Sequence, residues 1–317
     1  MKSFLVPLCC LVLFAVPRAY PWGAEGHQAI AETAQGLLTP AARAKIEAIL
    51  GGPDRLPSVA SWLDDARNAQ KHSVGPLKSD PEARQFNTAF PENEQWHYVN
   101  LPVGLTQYAD PGPFATQNDI VHAIAHGIDV LEGRATDLTP LQAMRLLVHL
   151  VGDAHQPMHT VTGFYDLRDP AHARLITNPA ETAGHPEDRG GNQLFYSKSL
   201  ELHAYWDKKM PQKVQRASPA ETLAHQLAAE SSGRKWATPG DYHQWAAKWV
   251  GDSAAEGAKA YEGIQFGAGT LNADKTLARI EIVLPEGYEE AQTARAKIQL
   301  VKGACHLAQL LNAIRYK

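Results

Sequence analysis

The chain has 317 residues, 44% hydrophobic and 20% charged, with a formal net charge of −4. That composition is ordinary for a soluble protein with a sizeable core, built as one large domain or two small ones. The slight acidity argues against a broad electrostatic grip on nucleic acid, although bound divalent cations can reverse the sign locally.

The chain opens with MKSFLVPLCCLVLFAVPRAY, in which Lys2 precedes an apolar run from Phe4 to Val16, followed by Pro17, Arg18 and Ala19. This is the layout of a secretory signal peptide, and the run is too short for a membrane span. Residues 1–21 are therefore read as a signal and 22–317 as one domain, secreted or periplasmic. Losing the signal removes Cys9 and Cys10, leaves Cys305 as the only cysteine and excludes an intramolecular disulfide. Size and bound metal must then supply the stability. It also leaves 28 basic against 34 acidic residues, a charge of about −6.

Most later segments have helical spacing. In EGHQAIAETAQGLL the apolar Ile30, Ala34, Leu37 and Leu38 recur at that spacing, and Thr39-Pro40 then restarts the chain as a cap and first-turn proline. Further helices are predicted over Ala41–Leu50, Ser58–Gln70, Gln117–Glu132, Thr139–His155, Gln193–Lys208, Pro219–Ser231, Gly240–Glu262 and Pro285–Arg315. Residues 72–92, 102–116 and 160–192 are rich in Pro and Gly and predict long loops, and WHYVNLPV predicts a short extended segment. No internal repeat or dividing linker interrupts the chain, so the fold class is all-α in a single domain.

One stretch stands apart. HLVGDAHQPMHT, His149 to Thr160, carries three histidines and an aspartate at the end of an apolar helix. Residues four apart on a helix face the same side, so His149 and Asp153 can share one ion. The spacing recurs at His203 and Asp207 in LHAYWD, and His159 follows the first pair. Imidazole and carboxylate together are ligands of the type zinc prefers. With fourteen histidines some such pairs are coincidental, and His122 with His126 is one example. Asp153 is harder to explain that way, because an ionised carboxylate among Leu150, Val151 and Ala154 needs a strong partner. His155 is two residues out of phase with Asp153 and faces elsewhere.

The motifs WGAEGH (22–27), ASWLDDAR (60–67), WHYVN (96–100), HLVGDAHQPMH (149–159), GGN (190–192) and LHAYWD (202–207) occur in one order along the chain. In that order the sequence resembles the zinc-dependent, single-strand-preferring nucleases and 3′-nucleotidases typified by the fungal nucleases S-one and P-one. The resemblance implies a mainly helical domain with three Zn2+ ions in a cleft. Asp64, His97, His149 and Asp153 would serve the first ion, and His159, His203 and Asp207 the second. The third would take His27, a bridging oxygen of Asp153, and the amino nitrogen and carbonyl oxygen of Trp22. A free Trp22 amine requires cleavage after Pro21, an unfavourable position for signal peptidase, or cleavage after Ala19 followed by loss of Tyr20-Pro21.

The implied reaction is attack of a zinc-bridging hydroxide on phosphorus in single-stranded DNA, RNA or a 3′-nucleotide, leaving 5′-phosphorylated products. Asp64, Arg67 and Asp153 are the catalytic candidates, with the Arg67 guanidinium neutralising a phosphate oxygen. Tyr98 would stack on a base, Asn100 would meet its edge, and Gly190 and Asn192 would form a further wall. Asn100 departs from the aspartate of fungal relatives, and the interval from His159 to GGN is longer than theirs. The chain is expected to be monomeric, with no stable protein partner and phospholipid as a side substrate to be tested. Two alternatives remain: a related zinc phospholipase C, and a secreted binding protein that zinc merely staples.

Overall fold

The computed structural model describes residues 22–72, 75–217, 221–232 and 236–317, so the predicted signal, 1–21, lies outside the described residues. The helices start where local chemistry supplies a cap. After α1 (Gly23–Gly36), Thr39 accepts from the Ala42 amide and Pro40 opens α2 (Pro40–Leu50). A carboxylate or hydroxyl at this place satisfies amides that the first turn leaves unpaired, and proline costs nothing where no N–H is needed. α3 spans Trp62–His72. Asp80 with Pro81 starts α4 (Pro81–Ala89), Asp119 starts α5 (Ile120–Leu131), and Thr139 and Gln142 form a reciprocal capping box on α6 (Pro140–Asp153).

α6 is the axis of the fold. Every residue from Leu146 to Asp153 is buried, and α5, α3, α2 and α1 pack around it together with the long α11 (Tyr288–Ala313). A helix apolar on all sides is expected only where neighbours surround it. α10 (Trp245–Ala260) and α9 (Leu223–Ser232) complete the helical shell, the latter against α1 and α11. One contiguous apolar cluster runs through these elements. Among the described residues no helix is long and apolar enough to cross a membrane.

The all-α expectation holds for the architecture, with four local corrections. The predicted loop 72–92 contains α4, because Asp80-Pro81 is itself a helix start. The extended segment after Trp96 supplies only β1 (Leu101–Pro102), parallel to β2 (Val161–Thr162). The predicted loop 160–192 holds β2 and the antiparallel pair β3 (Phe164–Asp166) and β4 (Arg174–Ile176).

The predicted helix Gln193–Lys208 is the largest miss. It begins as β5 (Leu194–Ser197) and β6 (Leu200–Glu201), and turns helical only at α7 (Leu202–Ala204), a π-helical turn (Tyr205–Lys209) and α8 (Met210–Ala217). β5 is extended because Leu194 and Phe195 pair with Ile280 and Glu281 of β8 (Leu277–Val283), which itself pairs with β7 (Gln265–Leu271). Shifts of register between β7 and β8 break the alternation of apolar residues that would have marked the strands.

Candidate metal centre

The C-terminal turn of α6 carries His149 and Asp153 on one buried side, with His149 Nε2 3.2 Å from Asp153 Oδ2. Both are fully buried, and helix α1 brings His27 against them. His27 Nε2 lies 3.1 Å from Asp153 Oδ1, and the His27 and His149 rings stack with centroids 4.0 Å apart. Gly152 permits this approach, since a β-carbon there would fall 2.7 Å from His27 Nδ1. The Trp22 indole anchors the start of α1 by donating to the Gly152 carbonyl at 2.9 Å.

Two further segments close on the same turn. Asp64, in the first turn of α3, and His97, just before the extended segment, are buried beside His149. His97 Nδ1 is 2.9 Å from Asp153 Oδ2, 3.2 Å from His149 Nε2 and 3.8 Å from Asp64 Oδ1. Beyond them His159 and His203 face each other, with Nε2 atoms 3.2 Å apart and Asp207 Oδ2 3.3 Å from His203. Asp207 reaches this place from the π-helical turn, a local widening that recurs at functional positions.

The orientation of the rings is set from behind. Nδ1 of His149 donates to the Ala60 carbonyl at 2.7 Å, Nδ1 of His159 to the His97 carbonyl at 2.6 Å, and Nδ1 of His203 to the Gly190 carbonyl at 2.8 Å. A carbonyl only accepts, so each proton is on Nδ1 and each Nε2 is turned inward as a lone pair or a second N–H. That is the arrangement by which proteins aim imidazole at a metal. Nitrogen pairs at 3.2 Å with buried carboxylates beside them need either a proton or a metal cation among them.

The residues present therefore fit divalent metal. Asp64 Oδ2 is buried and has no hydrogen-bond partner among the described residues. Three sets of side chains have convergent ligand atoms: His27, His149 and Asp153; Asp64, His97 and His149; and His159, His203 and Asp207.

Without metal the charges settle unevenly. Burial pushes Asp64 up to about 7 against the pull of Arg67, and pushes Asp207 up to about 6. Burial also opposes a charge on His149, but Asp153 and Asp64 raise it to about 9; burial opposes ionisation of Asp153, which His149 and His159 nonetheless hold well below the usual carboxylate range. A bound metal would take the place of the proton that this pair shares.

Around the centre, Arg67 reaches back one turn to Asp64, Nη2 to Oδ1 at 2.7 Å, and its charge acts on His97, His159 and Asp207. Tyr98 and Asn100 are half-buried beside His97, while Val99 between them is buried and its amide donates to the His159 carbonyl. Gly190 lies under His203 in a left-handed turn (φ 64°), where a β-carbon would fall 2.1 Å from the Met158 carbonyl oxygen. The Asn192 amide donates to the Arg189 carbonyl and holds the same turn. The Trp22 carbonyl accepts from the Gly26 amide. His155 points away from the centre, to Val151 and His306.

Three residues that spacing did not single out complete the site. Gln156 donates to Asp207 Oδ1 at 2.7 Å. Asp188, fully buried, accepts from Thr162, Gly163, Tyr165, Gly191 and Tyr261 at 2.7–3.1 Å and so pins the turn beneath His203. Glu187 accepts from the Asn100 amide. Only Gln156 had a signal, its place inside HLVGDAHQPMH.

The chain is similar to known nucleases along most of its length. Nuclease P1 and Nuclease PA3, from Penicillium citrinum and a Penicillium species, are each 25% identical over 92% of this chain and 97% of their own length. Endonuclease 5 of Arabidopsis thaliana is 22% identical over 99% of this chain and 97% of its own. The family model described as S1/P1 Nuclease matches residues 22–315, which include every side chain that converges on the centre. The chain belongs to the S1/P1 nuclease family and is a hydrolytic nuclease.

Proposed function

We propose that residues 22–317 form one secreted or periplasmic zinc-dependent phosphodiesterase, exported through the signal read in 1–21. It hydrolyses single-stranded DNA and RNA to 5′-phosphorylated products and removes phosphate from 3′-nucleotides. The observation that carries this reading is the meeting of three buried His/Asp sets at and beside Asp153. Nitrogen pairs at 3.2 Å match the edge of a tetrahedron with zinc–nitrogen bonds of about 2.0–2.1 Å, about 3.3 Å.

Asp64, His97, His149 and Asp153 would hold one ion, His159, His203 and Asp207 a second, and His27, Asp153 and the Trp22 amine and carbonyl a third. When bound, the ions supply Lewis acidity toward the phosphate and a nucleophilic water at neutral pH. The chain's own residues do the rest. Arg67, released from Asp64 when that carboxylate turns to metal, places a cation against a non-bridging phosphate oxygen. Tyr98 offers a ring beside the centre for stacking on any base, and Asn100 meets the base edge. Asp188 and Gln156 hold His203 and Asp207 in place, as groups behind metal ligands do.

The test is metal content and hydrolysis of single-stranded DNA, 3′-AMP and phosphatidylcholine by the wild type and by Asp153→Ala. Nuclease and 3′-nucleotidase activity with about three zinc ions per chain, both lost in the variant, is expected. A variant that kept its zinc and its activity would sink the proposal, and hydrolysis of phosphatidylcholine alone would favour the phospholipase.

A further inference from the structure

Away from the metal centre a cavity of about 960 Å3 opens between the loop before α5, α5 itself, the segment 236–239, α10 and α11. Small-molecule sites span ~300–1,000 Å3. None of the side chains that converge on the metal centre lines it. Rings from three separate segments do: Tyr108, His122 on α5, and Trp236. Its charged groups divide into those already paired and those left over. His122 is held between Asp110 and Asp119, at 2.9 and 3.0 Å, and His243 between Asp241 and Glu132, at 2.8 and 3.2 Å. Lys302 on α11, with Lys248 and Asp252 on α10, makes no ion pair among the described residues. Lys248 donates only to the Pro239 carbonyl, at 2.7 Å, and Lys302 is half-buried with its ammonium 5.4 Å from the centre of the Trp236 ring. The Lys302 charge is felt inside the protein, where it helps to keep buried His306, also on the cavity wall, neutral.

We propose that this cavity binds a nucleoside monophosphate, at a site separate from the metal centre. Two ammonium groups against one carboxylate leave a surplus of positive charge, and a phosphate with a charge of about −1.5 to −2 matches it. The rings ask for more than an anion. Tyr108 and Trp236 offer planar faces on which any base can stack, and His122, both of whose nitrogens already face carboxylates, has only its ring to present. Asp252 accepts and cannot donate, so the ligand must bring a hydroxyl or an amine to it. Inorganic phosphate would leave the rings uncovered, and a neutral aromatic would leave the lysines without a counter-charge. Phosphate, planar ring and hydroxyl donors occur together in a nucleoside monophosphate. The inference goes beyond the nuclease reading and does not depend on metal.

The experiment is equilibrium dialysis of radiolabelled 5′-AMP against the zinc-loaded chain, as wild type, Lys302→Met and Ala125→Trp. Methionine keeps most of the apolar stem of lysine without its charge. Ala125, half-buried on α5, lines the cavity, and an indole there fills it. Whatever the metal centre binds besides, one 5′-AMP site should be weakened about tenfold or more in each variant, the size of a lost charge-assisted contact, with zinc content unchanged. Inorganic phosphate and adenosine each carry part of the chemistry, and each should displace that 5′-AMP about tenfold less well than unlabelled 5′-AMP does. Equal binding by all three proteins would overturn the inference. So would displacement by inorganic phosphate as effective as by 5′-AMP, a result read on the wild type that needs no variant to fold. A chain that hydrolysed no nucleic acid would defeat the nuclease reading and leave this test as it stands.

Discussion

Replacing Gly152 by alanine sets two effects of opposite sign against each other at one atom. The position is in the last turn of α6, where alanine gains about 1 kcal/mol of helix propensity over glycine. The new β-carbon, however, would fall 2.7 Å from His27 Nδ1, 2.9 Å from its Cε1 and 3.5 Å from Ile30 Cδ1. His27 cannot swing aside, because it is fully buried and stacked on His149. Overpacking of this kind costs about 1–3 kcal/mol, which matches or outweighs the propensity gain, and the metal-free protein should lose up to about 2 kcal/mol. Gly36, in the last turn of α1, has nothing within 4 Å of the same added carbon, and there the substitution should stabilise by up to about 1 kcal/mol. Urea unfolding of both variants, with zinc counted per chain, provides the assay. Gly152→Ala should also bind one ion fewer, because the pushed ring is a ligand of only one set. A Gly152→Ala protein as stable as the wild type with full metal would refute the claim that this glycine exists to admit His27.

Asp188→Ala leaves three hydroxyls and two amides in the interior without their acceptor; urea unfolding should show a loss of about 3 kcal/mol or more, and zinc titration a weakened site at His203. His306 is held neutral: burial, helped by Lys302, lowers it to about 4. The unfolded chain therefore binds the extra proton first, near pH 6.5, and stability is lost as pH falls from there through about 4. Urea unfolding at pH 7.5 and 4.5 should show this loss reduced by about 2.5 kcal/mol in His306→Gln relative to the wild type. Chelation should lower Tm and stop hydrolysis, and zinc at a thousand times its dissociation constant should return about 4 kcal/mol per independent site. A Tm indifferent to chelator would show that the clusters do not bind metal.

Local rules reached a long way here. Thr39-Pro40, Asp80-Pro81 and Thr139-Pro140 start helices by chemistry contained within four residues, and even the loop that concealed α4 carried its own cap. His149 with Asp153, and His203 with Asp207, are readable as chelating pairs because helical periodicity puts them on one side whatever else the chain does. The order of the six motifs identified the family. What spacing cannot contain is the partner brought from far along the chain. Leu194 is in a strand because Ile280 lies beside it, 86 positions away. Gly152 matters because α1 crosses α6 at that residue, and Asp188 because residues from 162 to 261 surround its carboxylate. Glu187 meets Asn100 only after the extended segment and the turn before Gly190 have folded against each other. Ligand types and their spacing are therefore properties of the chain, whereas the orientation of each ring and the acceptors behind it arise from tertiary contacts. Those contacts are short-range in space and long-range in sequence, and no local pattern encodes them.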